Sequence, residues 1–158
     1  MTTTFETTLR DLIRHIVTEH HGYLRRNLPV IADGVSARGD VELAAAFGRL
    51  RQELMLHLTK EESVLFPAID RLESAQASGE PLPKAYFGSM RLPVQILEEE
   101  HHIADVALAR IRELTDGFTV PRGELGAALK ALDADLHEHM RLENEVLFPR
   151  VMDLESRV

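Results

Sequence analysis

The stretch His57–Pro67, HLTKEESVLFP, returns as HMRLENEVLFP at His139–Pro149. One offset, 82 residues, relates His57 to His139, Glu61 to Glu143 and Pro67 to Pro149. In each copy a histidine precedes a glutamate by four residues, just over one helical turn, so imidazole and carboxylate share a helix face. Few folds accommodate such a duplication. In a helical chain it points to a metal site built between facing helices.

Apolar periodicity supplies the helices. The first is expected to begin near Thr4–Thr8 and to run to about Pro29 or beyond, with a stripe of Ile13, Val17, His21, Leu24, Leu28 and Ile31. A weaker register runs Leu9, Ile13, Ile16, His20, Tyr23. Pro29 is expected to bend or interrupt the helix. Residues 32–40 carry two glycines and read as a loop, with Asp40 as the next N-cap. The second helix has the cleanest pattern: Leu43, Phe47, Leu50, Leu54, His57, Glu61, Val64 or Leu65, and Ala68. Pro67 predicts a local kink.

Residues 73–93 contain Gly79, Pro81, Pro83, Gly88 and Pro93 and read as irregular, with Tyr86, Phe87 and Met90 packing over the helices. A third helix starts around Pro93, with Val94, Leu97, His101, Ala104, Leu108 and Ile111 on one stripe. Residues 115–123 break the chain. The last helix carries Leu125, Leu129, Leu132, Leu136, His139, Glu143 and Val146 or Leu147. The fold expected is all-α: an antiparallel up-down four-helix bundle from two hairpins, in a single domain over residues 1–158.

Each helix thus places one histidine in an apolar stripe, and the second and fourth add a glutamate. The candidate ligands are His21, His57, Glu61, His101, His139 and Glu143. A lone histidine on an apolar face is commonly a hydrogen-bonded core residue, and a lone His-x-x-x-Glu commonly decorates a solvated helix. Here all six interrupt apolar stripes, and two pairs repeat at one offset. An ionised carboxylate in a bundle core is costly unless paired or metal-bound. Four imidazoles and two carboxylates suit two first-row metal ions with bridging carboxylates and an oxo or hydroxo bridge. Mixed nitrogen and oxygen ligation favours iron, with manganese or zinc as substitutes, over calcium and magnesium. His15, His20, His102 and His137 lack this support and are expected to be solvated or to lie outside the ligand set, His20 and His102 being the spare ligands. Glu62, Glu98, Glu99 and Glu100 read as a solvated acidic face. Leu65-Phe66-Pro67 and Leu147-Phe148-Pro149 read as packing and helix-bending devices that cap one end of the metal pocket.

Composition narrows the chemistry. The chain has no cysteine, which removes disulfides, thiolate ligands and a nucleophilic thiol. Its formal net charge of −8, with no basic tract, argues against nucleic acid as a partner. No signal-peptide pattern or long apolar run is present, so no membrane association is expected and the cytoplasm is the default location.

The two motif copies, with HIVTEHH at 15–21, LPVQILEEEH at 92–101 and LHEHMRLENEVLFPR at 136–150, resemble hemerythrin-like (HHE cation-binding) domains. Within that superfamily the chain is most similar to the di-iron domain of the repair-of-iron-centres proteins. The resemblance spans nearly the whole chain. It implies ligand roles for the same six residues, with Glu61 and Glu143 as bridging carboxylates. Oxygen-carrying hemerythrins typically use five histidines with a glutamate and an aspartate; no fifth histidine is evident in the stripes here. Repair-of-iron-centres proteins usually add an N-terminal domain with paired cysteines, which this cysteine-free chain is expected to lack.

The function this implies is a non-haem di-iron protein of nitrosative or oxidative stress. It would bind nitric oxide or oxygen and assist repair of iron–sulfur centres, with iron–sulfur proteins as partners. The alternative is a reversible oxygen-binding or sensing protein without chemistry. A ferritin- or rubrerythrin-like oxidase ranks last, because its usual Glu-x-x-His spacing is absent.

Overall fold

The computed structural model describes residues 7–82 and 88–157. It is an antiparallel four-helix bundle in which each helix packs against the next and the fourth returns to the first. The first bundle helix comprises Leu9–His15, a wide π turn at Ile16–His21, and Gly22–Arg38. The second comprises Val41–Lys60, a π turn at Glu61–Leu65, and Phe66–Ser78. The third is Arg91–Leu114, an unbroken α-helix. The fourth comprises Glu124–Arg141, a π turn at Leu142–Leu147, and Phe148–Ser156. No helix among the described residues is long and apolar enough to cross a membrane.

Two expected boundaries move. Residues 32–38, read as loop, are helical, and the helix runs through Pro29 to Arg38. Leu28, Ile31 and Val35 are buried along this stretch, and their burial outweighs the donor lost at Pro29. Gly34 lies within the helix, close to the side chain of Leu125: a Cβ there would come within 3.1 Å of Leu125 Cδ1. The glycine that ends the helix is Gly39, at φ 75°. Residues 73–78, read as irregular, continue the second helix to Ser78, where Gly79 takes the same left-handed conformation. Asp40 is the N-cap expected, its carboxylate accepting from the Leu43 N–H at 3.1 Å. Met90 is buried as expected; Tyr86 and Phe87 lie outside the described residues.

The helical Glu73 has a task that a loop would not give it. Its carboxylate accepts from the backbone N–H groups of Leu9 and Arg10, at 2.7 and 3.0 Å, and so caps the first helix from across the bundle. Glu155, at the same 82-residue offset, accepts from the Met90 N–H at 2.7 Å and from the Ser89 hydroxyl at the start of the third helix. The duplication therefore extends to the end caps.

The three π turns explain why two registers compete in the first helix. Leu9, Leu12, Ile16 and His20 are buried before the turn closes; His21, Leu24, Leu28, Ile31 and Val35 are buried after it. Ile13 and Val17, placed in the stripe by strict α-helical spacing, are only half-buried. One extra residue in the wide turn shifts the buried face by a single position. In the second and fourth helices the same effect selects Leu65 over Val64 and Leu147 over Val146. Each of these two wide turns ends two residues before a proline, Pro67 or Pro149, which sits in the first turn of the following α-helix and has no N–H to donate.

The core falls into two apolar clusters. One gathers Leu9, Ile16, Leu65, Phe66, Ile69, Leu97, Leu147 and Phe148. The other gathers Leu24, Leu28, Phe47, Leu50, Leu54, Leu108, Leu132 and Leu136. Each fully buried large side chain contributes about 1.5–3 kcal/mol. Between the two clusters, in sequence and in the bundle, lies a buried polar layer.

Candidate metal centre

All six candidate ligands meet in that layer. His21, Glu61, His139 and Glu143 form one group whose nitrogen and oxygen atoms lie within 4.8 Å of one another; His57, Glu61, His101 and Glu143 form a second. Glu61 and Glu143 belong to both and are fully buried. Glu61 Oε2 lies 3.1 Å from His21 Nε2 and Oε1 lies 3.0 Å from His57 Nε2. Glu143 Oε1 contacts His139 Nε2 and lies 3.7 Å from His101 Nε2. The imidazoles also point at one another: His21 Nε2 to His139 Nε2 is 3.3 Å, and His57 Nε2 to His101 Nε2 is 3.1 Å.

This arrangement fits metal ions and little else. The four carboxylate oxygens of Glu61 and Glu143 are enclosed, yet none is engaged in a well-formed hydrogen bond. Buried acceptors left in that state are costly, and converging nitrogen lone pairs add repulsion. Cations between them relieve both. Burial, followed by the charge of Glu143, pushes the Glu61 carboxyl well above its usual range. Burial also holds His21 and His101 down at about 4, so both imidazoles are neutral near pH 7, as ligands must be.

The surroundings orient the ligands. Phe66 stacks on His21 with ring centroids 5.8 Å apart, and Phe148 stacks on His101 at 5.9 Å. The Leu-Phe-Pro motifs therefore wall the site as expected, each phenylalanine facing the histidine of the other hairpin arm. His57 Nδ1 lies 3.0 Å from Glu100 Oε1, and His101 Nδ1 lies 2.7 Å from Asn144 Oδ1. Such outer partners set tautomer and ring orientation in metal sites. His21 Nδ1 has none within hydrogen-bonding distance: it is enclosed, 3.7 Å from Glu62 Oε1. Glu100 is held at about 2 by its hydrogen bond from His57, with Lys60 at 2.6 Å adding to it.

Glu62 and Glu100 therefore do not belong to a solvated acidic face; Glu98 and Glu99 do. Charge runs conceal this, because Glu100 differs from its neighbours only by the half-turn that aims it at His57. A signal is present for others: Glu62 and Asn144 share the 82-residue offset, as do Glu53 and Asp135, one turn before His57 and His139. Of the two placements expected for His20, solvated or outside the ligand set, the structure shows a buried one. His20 is a fifth buried histidine, outside both groups of four, with Nδ1 3.1 Å from Asp135 Oδ1 and its ring stacked on His139 at 5.6 Å. His15 and His102 are exposed and His137 is half-exposed, all outside the two groups.

A cleft of about 170 Å³ opens among the second, third and fourth helices, and it is lined by His57 and His101 of the second group and by His139 of the first. Glu53, His57, Lys60, Glu100, His101 and Ile103 are among its lining residues.

Comparison with known proteins agrees with this geometry. Residues 12–151 match the hemerythrin HHE cation binding domain. The chain is 29% identical to the iron–sulfur cluster repair protein DnrN of Neisseria gonorrhoeae, over 94% of this chain and 92% of that protein. It is 35% identical to the iron–sulfur cluster repair protein YtfE of Edwardsiella ictaluri, over 91% of this chain but 66% of that protein. A YtfE of Yersinia pseudotuberculosis is 33% identical with the same coverage, so the chain spans about two thirds of the length of these YtfE relatives. With a four-helix bundle, a buried layer of histidine and glutamate, and a match over most of its length, the chain belongs to the hemerythrin HHE cation-binding domain family.

Proposed function

We propose that the chain is a non-haem di-iron protein of iron–sulfur repair that binds nitric oxide or oxygen at its metal centre and acts in the cytoplasm. The observation that carries this reading is the pair of overlapping ligand groups sharing Glu61 and Glu143. His21 and His139 would hold one iron and His57 and His101 the other, with the two glutamates common to both. Bound ferrous iron with open positions supplies affinity for small diatomic ligands. The protein's part is to present neutral imidazoles, to keep the two carboxylates out of water, and to orient the His57 and His101 rings through Glu100 and Asn144. The cleft of about 170 Å³ beside His57 and His101 is large enough to admit a diatomic ligand. The repair role rests on the relatives named above, whose iron–sulfur proteins would be this chain's partners too.

Metal analysis of the purified protein should give two irons per chain. Titrating the reduced protein with nitric oxide should then change both its optical and EPR spectra. An iron-loaded protein whose spectra do not respond refutes the diatomic part of the reading. A stable oxygenated form that reverts under vacuum would instead favour oxygen carriage.

A further inference from the structure

The internal repeat departs from symmetry at the outer partners of the ligand histidines. In the His57/His101 half both rings are held. His57 Nδ1–H donates to Glu100 Oε1 at 3.0 Å, and Glu100 is itself tied by Lys60 at 2.6 Å. His101 Nδ1–H donates to Asn144 Oδ1 at 2.7 Å. In the His21/His139 half neither ring is held: Nδ1 of each is enclosed and without a hydrogen bond. The counterparts in this half are engaged elsewhere. Glu62 matches Asn144 in the repeat, but its Oε1 stays 3.7 Å from His21 Nδ1. Both oxygens of Glu62 pair instead with the Arg25 guanidinium, whose Nη1 lies 3.0 Å from Oε1. His20 precedes His21 as Glu100 precedes His101, yet its Nδ1 lies 3.1 Å from Asp135 Oδ1 and its ring stacks on His139.

An imidazole that coordinates through Nε2 keeps its proton on Nδ1. Where an acceptor already holds that N–H, the ligating tautomer and ring angle are set beforehand, and the ring is the more basic ligand. Where no acceptor is present, coordination leaves an enclosed donor unpaired, which is costly. We infer that the two halves of the centre are unequal: the His57/His101 half takes its divalent ion first and holds it more tightly, and Arg25, by drawing Glu62 off His21, keeps the His21/His139 half the exchangeable one. Glu100 and Asn144 act as positioning residues of the tight half. The inference rests on the di-iron reading above, and the experiment separates the two.

Cobalt(II), which accepts nitrogen and oxygen ligands as ferrous iron does and absorbs visibly, is titrated into the metal-free chain in competition with a coloured chelator. His21→Ala keeps only the His57/His101 group complete, and His101→Ala only the His21/His139 group. The first should bind its single ion at least about tenfold more tightly, the scale on which an outer partner acts. Glu100→Leu should weaken binding by about 10–100-fold in the His21→Ala chain and leave it unchanged in the His101→Ala chain. Glu100→Gln, whose amide oxygen still accepts, should recover most of that loss. Arg25→Met frees Glu62 and should tighten binding in the His101→Ala chain by about tenfold, a gain that a loosened fold does not give. Equal affinities of the two half-sites, or the reverse order, overturn the inference alone. Equal weakening by Glu100→Leu in both chains overturns its positioning role, and no gain from Arg25→Met overturns the role of Arg25. A wild-type chain that takes up neither cobalt nor iron overturns the di-iron reading together with the inference.

Discussion

Glu61 and Glu143 are separated by 82 residues in sequence, yet each is fully buried and each belongs to both groups of candidate ligands. The histidines are divided between the groups; the glutamates are not. Loss of a glutamate and loss of a histidine should therefore have different consequences.

Glu61→Ala is expected to remove both metal ions, because each group loses a carboxylate. His57→Ala is expected to leave at most one ion, held by His21, His139 and the two glutamates. Metal content per chain by mass spectrometry distinguishes the two variants. Equal losses in both would contradict the shared-carboxylate arrangement.

Without metal the same glutamates are a burden. Glu61→Gln should stabilise the metal-free chain by about 1–3 kcal/mol, the cost of an unsatisfied buried polar group, since the amide can donate to Glu143. Urea unfolding in the presence of a chelator measures this. The variant should also show a smaller gain in unfolding midpoint on adding iron than the wild type.

Two buried imidazoles give the metal-free protein an acid-sensitive component in a defined window. Burial holds His21 and His101 at about 4, whereas unfolded histidine titrates at about 6.5. Between those values the unfolded chain binds more protons, so stability rises with pH there, is fully present above the unfolded value and is lost as pH falls. Each imidazole contributes at most about 1.4 kcal/mol per pH unit in that window. His20 acts in the opposite sense: its hydrogen bond with Asp135 raises its pKa, so its contribution fades as pH rises. His137 and the Glu61 carboxyl are raised as well and act with His20, so the depressed imidazoles are read by difference: the change in denaturant midpoint between pH 7 and pH 5 should be less unfavourable in His101→Gln than in the wild type.

Two glycines should respond in opposite directions to alanine. Gly48 lies on the exposed face of the second helix, and a Cβ added there would meet nothing within 4 Å, so Gly48→Ala should stabilise by about 0.5–1 kcal/mol. At Gly126 a Cβ would come within 2.5 Å of the Pro121 carbonyl oxygen and 2.7 Å of that of Phe118. Gly126→Ala should destabilise by about 1–3 kcal/mol. Thermal melts of the two variants check both signs.

The bundle and the six converging residues are legible in the sequence because both depend on periodicity and on an exact internal repeat. His101, Ala104, Leu108 and Ile111 fall where α-helical spacing puts them, since the third helix has no wide turn. Periodicity fails where the helix itself departs from 3.6 residues per turn, so strict spacing gives Ile13 and Val17 a face that Ile16 and His20 take. Glycine and proline mislead at Gly34 and Pro29 because tertiary packing, invisible in a local window, decides those positions. Glu100 and Glu62 are hidden among other acids, since only the fold tells which carboxylate faces an imidazole.

The wide turns also set the rotational phase between the metal layer and the ends of the bundle. Closing Glu61–Leu65 to ordinary α-helix without removing a residue would rotate everything after it by about 100°. Phe66 would leave the face of His21, Ile69 and Leu72 would leave the core, and Glu73 would swing away from the start of the first helix. The same closure in Leu142–Leu147 would carry off Phe148 and Glu155. In the second and fourth helices, ligand placement and helix capping are thus keyed to one another through a single inserted residue, and a shift in one is felt as a misalignment of the other.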